Sequence, residues 1–173
     1  MRKLFTFMLA SVTALTLFAA DETTTAKETD IDASPDAWQK AYGNVEFNSD
    51  SIKLSIPEDQ EKGLTYITLK KPIEVKPGDV IVVTFKAKGG GGKMKIAGMG
   101  YHTSTGKKVG FRHGDKEFNP TADEFTDIEC EIKITSGEIR GGTVEKTHPA
   151  FMILGKGATL EIKDIKMKVI PGE

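Results

Sequence analysis

Three kinds of side chain in this 173-residue sequence are equipped for chemistry: flat aromatics, carboxylates, and a sparse set of histidines with one cysteine. A flat ring can stack on the C–H face of a sugar, and a planar polar side chain beside it can pair with hydroxyls. Only rings pointing away from a core are free to do this. The single tryptophan, Trp38, is one such candidate. In Leu64-Thr65-Tyr66-Ile67-Thr68-Leu69, an alternation that turns Ile67 and Leu69 inward turns Tyr66 outward with Thr68. By the same argument Arg112 faces out with Lys108 if Val109 and Phe111 face in. Tyr101 shares a face with Met99 and Ala97, and the alternation leaves open which side that is. Trp38, Tyr66, Tyr101 and Arg112 are therefore the candidate ligand-binding residues. For each, the competing reading is packing in the core or at its rim.

No catalytic motif accompanies them. His102, His113 and His148 stand apart and show neither His-x-His nor His-x-x-x-His spacing, the arrangements that bring ligands together on a zinc ion. Cys130 lies in Thr126-Asp127-Ile128-Glu129-Cys130-Glu131-Ile132-Lys133-Ile134 and shares a face with three isoleucines. That is the setting of a buried thiol. A reactive thiolate needs partial exposure and a basic neighbour, and the sequence neighbours here are Glu129 and Glu131. No Gly-x-Ser-x-Gly elbow occurs. The run Gly89 to Gly92 lacks the Lys-Ser/Thr ending of a phosphate-cradling loop and reads as a mobile hairpin tip. Glycoside hydrolysis needs two carboxyls at a fixed separation across a sugar, which a single sequence does not display.

The elements that position these residues are strands. From Asn44 onward the apolar period is two, as in Ser51-Ile52-Lys53-Leu54-Ser55-Ile56. Further runs at 64–69, 79–88, 93–101, 107–112, 126–134, 150–154 and 160–165 are rich in Val, Ile, Thr, Phe and Tyr. Turn signals punctuate them, including Lys76-Pro77-Gly78-Asp79 and Gly155-Lys156-Gly157. About nine strands without a long helical pattern predict an all-β, antiparallel β-sandwich. One short N-terminal helix is expected, with Ser34 as N-cap, Pro35 at its first position and Gly43 as its stop. It would set Trp38 and Tyr42 one turn apart on one side.

Residues 1–20 have the layout of a signal peptide, with Arg2-Lys3, an apolar stretch to Leu17, and Ala19-Ala20 before Asp21. The apolar run is too short and too diluted to span a bilayer. Residues 21–30 contain no large apolar side chain and predict a flexible linker, so the sandwich domain is expected over 31–173. Loss of Arg2 and Lys3 moves the formal charge from −1 to −3. A balanced, mildly acidic chain lacks the basic face that nucleic acid demands. The chain is expected to be secreted or periplasmic.

The run Ile73-Glu74-Val75-Lys76-Pro77-Gly78-Asp79-Val80-Ile81-Val82-Val83-Thr84-Phe85-Lys86-Ala87-Lys88-Gly89 resembles the middle of jelly-roll carbohydrate-binding modules and related galactose-binding-like domains. Tyr101-His102-Thr103-Ser104-Thr105-Gly106-Lys107 is similar to a hairpin of those modules, and residues 158–167 are similar to their last strand. The resemblance spans most of residues 44–170 and implies a jelly roll that binds a polysaccharide or glycan without catalysis. It also implies a structural calcium, for which Asp164 with Glu46 or Asp32 are the candidate ligands, calcium requiring six to eight oxygens. The sequence departs from the pattern at Lys163, where an acidic residue is common, and in its loosely matching opening strand. Two other readings stay open on the same fold: a structural or protein-interaction module of the cell envelope, with other envelope proteins as partners, and a small secreted glycoside hydrolase or polysaccharide lyase.

Overall fold

The computed structural model describes residues 28–104, 107–135 and 142–172. The expected signal peptide and most of the expected linker lie outside the described residues. Twelve strands follow one another: β1 (Thr29–Ile31), β2 (Trp38–Tyr42), β3 (Asn44–Phe47), β4 (Ser51–Ser55), β5 (Leu64–Leu69) and β6 (Ile73–Glu74) make up the first half. The second half holds β7 (Val80–Gly90), β8 (Lys93–Ser104), β9 (Lys107–Phe118), β10 (Thr126–Lys133), β11 (Lys146–Leu154) and β12 (Thr159–Ile170). All pairings are antiparallel.

They form two sheets. The first runs β10-β7-β12-β4-β3, with β1 also paired to β12. The second runs β2-β5-β11-β8-β9, with β6 also paired to β11. Apart from the consecutive pairs β3–β4 and β8–β9, the neighbours are non-consecutive, which gives the crossed-over order of a jelly-roll sandwich. Alternation along each strand supplies the core between the sheets. Ile52, Leu54, Ile81, Val83, Leu160 and Ile162 come from the first sheet, and Ile67, Met94, Ile96, Phe151 and Ile153 from the second. Phe151 is the centre of an aromatic cluster, with its ring centroid 4.8 Å from Phe85 and 5.1 Å from Trp38.

The helical start forms but stops early. Pro35–Ala37 make a single 3-10 turn, and the chain is already extended at Trp38. The Ser34 hydroxyl donates to Asp32 Oδ1 at 2.8 Å instead of capping the turn. A helix carried to Gly43 would keep Trp38 on the surface; as strand β2, the chain pairs Trp38 with Leu69 and buries the ring. Burying an aromatic ring is worth more than the few backbone hydrogen bonds of a short helix.

Two other expectations shift. Thr29 and Asp30, expected in the linker, pair with Val169 and Lys168. The four glycines do not all form a hairpin tip: Gly89 and Gly90 end β7, and only Gly91-Gly92 turn into β8. A Cβ on Gly89 would overlap the Thr159 carbonyl oxygen, so the close approach of β7 to β12 requires glycine there. The Lys76–Asp79 turn behaves as read. Buried Asp79 accepts the Lys76 amide at 2.9 Å and, with its other oxygen, the Gly172 amide at 3.0 Å.

Candidate functional site: the outer face of the second sheet

The alternation that turns Thr65, Ile67 and Leu69 of β5 inward projects Tyr66 and Thr68 from the opposite side of the second sheet. Register then fixes what stands beside them. Tyr66 pairs with Met152 of β11, which pairs with Lys95 of β8, which pairs with Glu117 of β9. One step along, Gln39, Thr68, Ala150 and Ala97 form the next row. Beyond it come His148, Met99 and Arg112, then Glu74, Lys146 and Tyr101.

Tyr42 reaches this face through a bulge. Trp38 pairs with Leu69 and Lys40 with Ile67, but the register slips between Lys40 and Tyr42, so Tyr42 pairs with Tyr66. One extra residue reverses the alternation, and β2 therefore has Trp38 in the core and Tyr42 outside. The Tyr42 and Tyr66 rings are nearly parallel, 24° apart with centroids 6.5 Å from each other. Lys62 Nζ lies 5.6 Å from the Tyr42 centroid.

The middle of the face is low. Ala97 and Ala150 are wholly buried and Met152 is 3% exposed, although none of them belongs to the core between the sheets. These side chains are therefore covered by the larger ones around them, and a second ring pair stands at the far side, where the Tyr101 and His148 centroids are 6.0 Å apart. His148 Nδ1 is 2.7 Å from the Leu69 carbonyl. A carbonyl only accepts, so Nδ1 carries the proton, and Nε2 of the neutral ring is left as an acceptor.

The charged groups here are matched. Arg112 Nη2 is 3.1 Å from Asp115 Oδ2, Lys95 Nζ 3.0 Å from Glu117 Oε1, and Lys146 Nζ 3.0 Å from Glu74 Oε1. The hydrogen bond from Lys95 holds the Glu117 carboxyl below its usual range. A general acid needs the opposite shift. What this arrangement does well is present two pairs of flat rings among fixed polar groups.

Three of the four candidate ligand-binding residues meet on this one face: Tyr66, Tyr101 and Arg112. Trp38 does not join them. It is 1% exposed, with its indole N–H donating to the Ala33 carbonyl at 3.1 Å, and it offers no ring face to a ligand. Tyr42 and His148 were missed. A one-residue bulge has no composition signal, and Pro149 hid the start of β11. That proline falls between the stretches of β11 that pair with β5 and with β6, opposite Gly98 of β8.

The three candidate calcium ligands each stand in their own local setting. Asp164 sits on a bulge of β12 at φ 52°, with its carboxylate 3.3 Å from Lys86 Nζ. Glu46 stands opposite Lys53 on β3, and Asp32 accepts from the Ser34 amide and hydroxyl. Among the described residues no group of three or more His, Cys, Asp or Glu is placed to hold a metal ion. Cys130 is buried as expected, and burial pushes its thiol pKa up.

No protein-family model and no curated protein matches the sequence. Similar solved structures include a CBM4 module, at TM-score 0.51 and 12% identity over 77% of this chain and 94% of that one. The CBM22-1 xylan-binding domain of Paenibacillus barcinonensis Xyn10C superposes at TM-score 0.51 and 8% identity, covering 79% of this chain and 88% of the other. Identities this low speak to the fold: the chain has the jelly-roll fold found in carbohydrate-binding modules.

Proposed function

We propose that this protein is a non-catalytic glycan-binding module whose ligand lies across the outer face of the second sheet. The observation that carries the reading is the presence of two ring pairs on one sheet face, Tyr42 with Tyr66 and Tyr101 with His148. The electron-rich face of a tyrosine attracts the polarised C–H bonds of a sugar ring. His148 Nε2 would accept from a hydroxyl, while Gln39 and Arg112 would donate to ring or hydroxyl oxygens. His148 and Met152 lie four residues apart on β11, about 13 Å at the usual strand rise, so the face suits a chain of sugars better than one ring. Because Arg112, Lys95 and Lys146 each have a carboxylate partner, the ligand we propose is a neutral polysaccharide. The leader-like residues 1–20 support action outside the cytoplasm.

Affinity electrophoresis through a panel of neutral and acidic polysaccharides tests this directly. Retardation by a neutral polymer that disappears in Tyr66→Ala is expected. No retardation by any polymer would instead favour a protein-interaction module of the envelope, the reading that burial of Trp38 supports.

A further inference from the structure

The outer face of the first sheet carries its charges in columns. Along β10, Ile128, Cys130 and Ile132 turn inward, which points Asp127, Glu129 and Glu131 outward. Along β12, Lys163, Lys166 and Lys168 point the same way, since Ile162, Met167 and Val169 are in the core. Lys163 and Lys166 are three residues apart and would face opposite ways in a regular strand. The bulge between them, with Asp164 at φ 52°, returns Lys166 to the outer face. Between the two columns runs β7, and register sets three rows across it: Asp127–Lys86–Lys163, Glu129–Thr84–Lys166 and Glu131–Val82–Lys168.

Each row has a carboxylate at one end and an ammonium at the other. Their backbones are two strand spacings, roughly 10 Å, apart, which is too far for a direct pair along the row. Glu131 and Lys168 find other partners in Lys133 and Glu28, and Lys86 is held by Asp164. Asp127, Glu129, Lys163 and Lys166 end no direct ion pair among the described residues; the Lys163 ammonium lies 4.3 Å from the Phe125 ring centroid instead. The face is hollowed over Thr84, in a cleft of about 730 Å³ whose lining includes Asp127, Glu129 and Lys166.

This pattern is its own complement. Turned about a two-fold axis running along β7, a second copy lays its basic column over the acidic column of the first and its acidic column over the basic one, row on row. An axis across the strands would set like charge on like. In the central row the small Thr84 leaves room for Glu129 and Lys166 of the two copies to reach each other. Lys86, at the axis, meets its copy already neutralised by Asp164.

We propose that this face is the interface of a symmetric homodimer, with Glu129 of each copy against the partner's Lys166 and Asp127 against the partner's Lys163. Both second sheets stay outermost, so the dimer would present two glycan platforms facing away from each other; the association itself does not rest on that reading. Sedimentation velocity of the purified protein over a concentration series tests it. The wild type is expected to pass from monomer to dimer below about 1 mM, and added salt, which screens exposed charges, should shift it back. Glu129→Lys and Lys166→Glu should each weaken self-association about tenfold, because each sets like charges face to face. An equimolar mixture of the two variants should associate as the wild type does, since both contacts then join opposite charges. That recovery also shows that each variant is folded. A wild type that stays monomeric up to about 1 mM, single variants that associate as tightly as the wild type, or a mixture that does not recover overturns the proposal. Tyr66→Ala should leave the association unchanged, so interface and platform stand or fall separately.

Discussion

Tyr42 and Tyr66 face each other across the β2–β5 pair with rings 24° from parallel and centroids 6.5 Å apart. They come from strands joined only through β3, β4 and a loop, and they meet because a bulge after Lys40 turns Tyr42 over. The rings are offset at that separation, and Lys62 lies over the Tyr42 ring.

Removing either tyrosine should cost binding without unfolding the domain, since both are half-buried and outside the core. Tyr66→Ala and Tyr42→Ala are each expected to weaken polysaccharide binding about tenfold, or about 1.4 kcal/mol. Calorimetric titration with the polymer retained most strongly, alongside a thermal melt of each variant, separates lost contact from lost fold.

Trp38 behaves in the opposite way. Its ring packs on Phe151 inside the sandwich, so Trp38→Ala should destabilise the protein by about 3–5 kcal/mol, the usual cost of emptying a buried aromatic site. Wild-type emission should be blue-shifted, resistant to acrylamide and insensitive to polysaccharide. A ligand-induced shift in that emission would place the binding site nearer Trp38 than the platform does.

His113 makes stability depend on pH. It is buried, with Nε2 3.0 Å from Thr147 Oγ1, and burial lowers its pKa; a bond with the Lys133 backbone and the charge of Asp115 oppose that shift without cancelling it. With the folded pKa below the unfolded value of about 6.5, the native state binds fewer protons and stability is fully present above that value. It should fall as pH drops below about 6.5 toward the folded pKa. Thermal midpoints between pH 7.5 and 5.0 should decline in the wild type and decline less in His113→Gln.

Cys130 should be unreactive while the protein is folded. A buried thiol with a raised pKa carries little thiolate at neutral pH. Ellman's reagent is expected to titrate it only after denaturant is added, and rapid labelling of the native protein would contradict the burial described above.

The sequence by itself determined the class of fold and much of the face. Period-two runs name the strands, and alternation in β5 alone is enough to turn Tyr66 outward, because a strand's side chains have only two directions. Tertiary structure decided the rest, because it depends on which strands become neighbours. Tyr101 gained a side only when β8 paired with β11, whose Phe151 is in the core and whose His148 is not. Trp38 left the surface because Leu69 and Phe151 offered its ring an apolar site that no local helix signal could match. An open groove at one end of the sandwich is further still from the sequence, since its lining includes residues 31, 69, 73 and 169. Long-range packing brings those four together, and no local pattern encodes it.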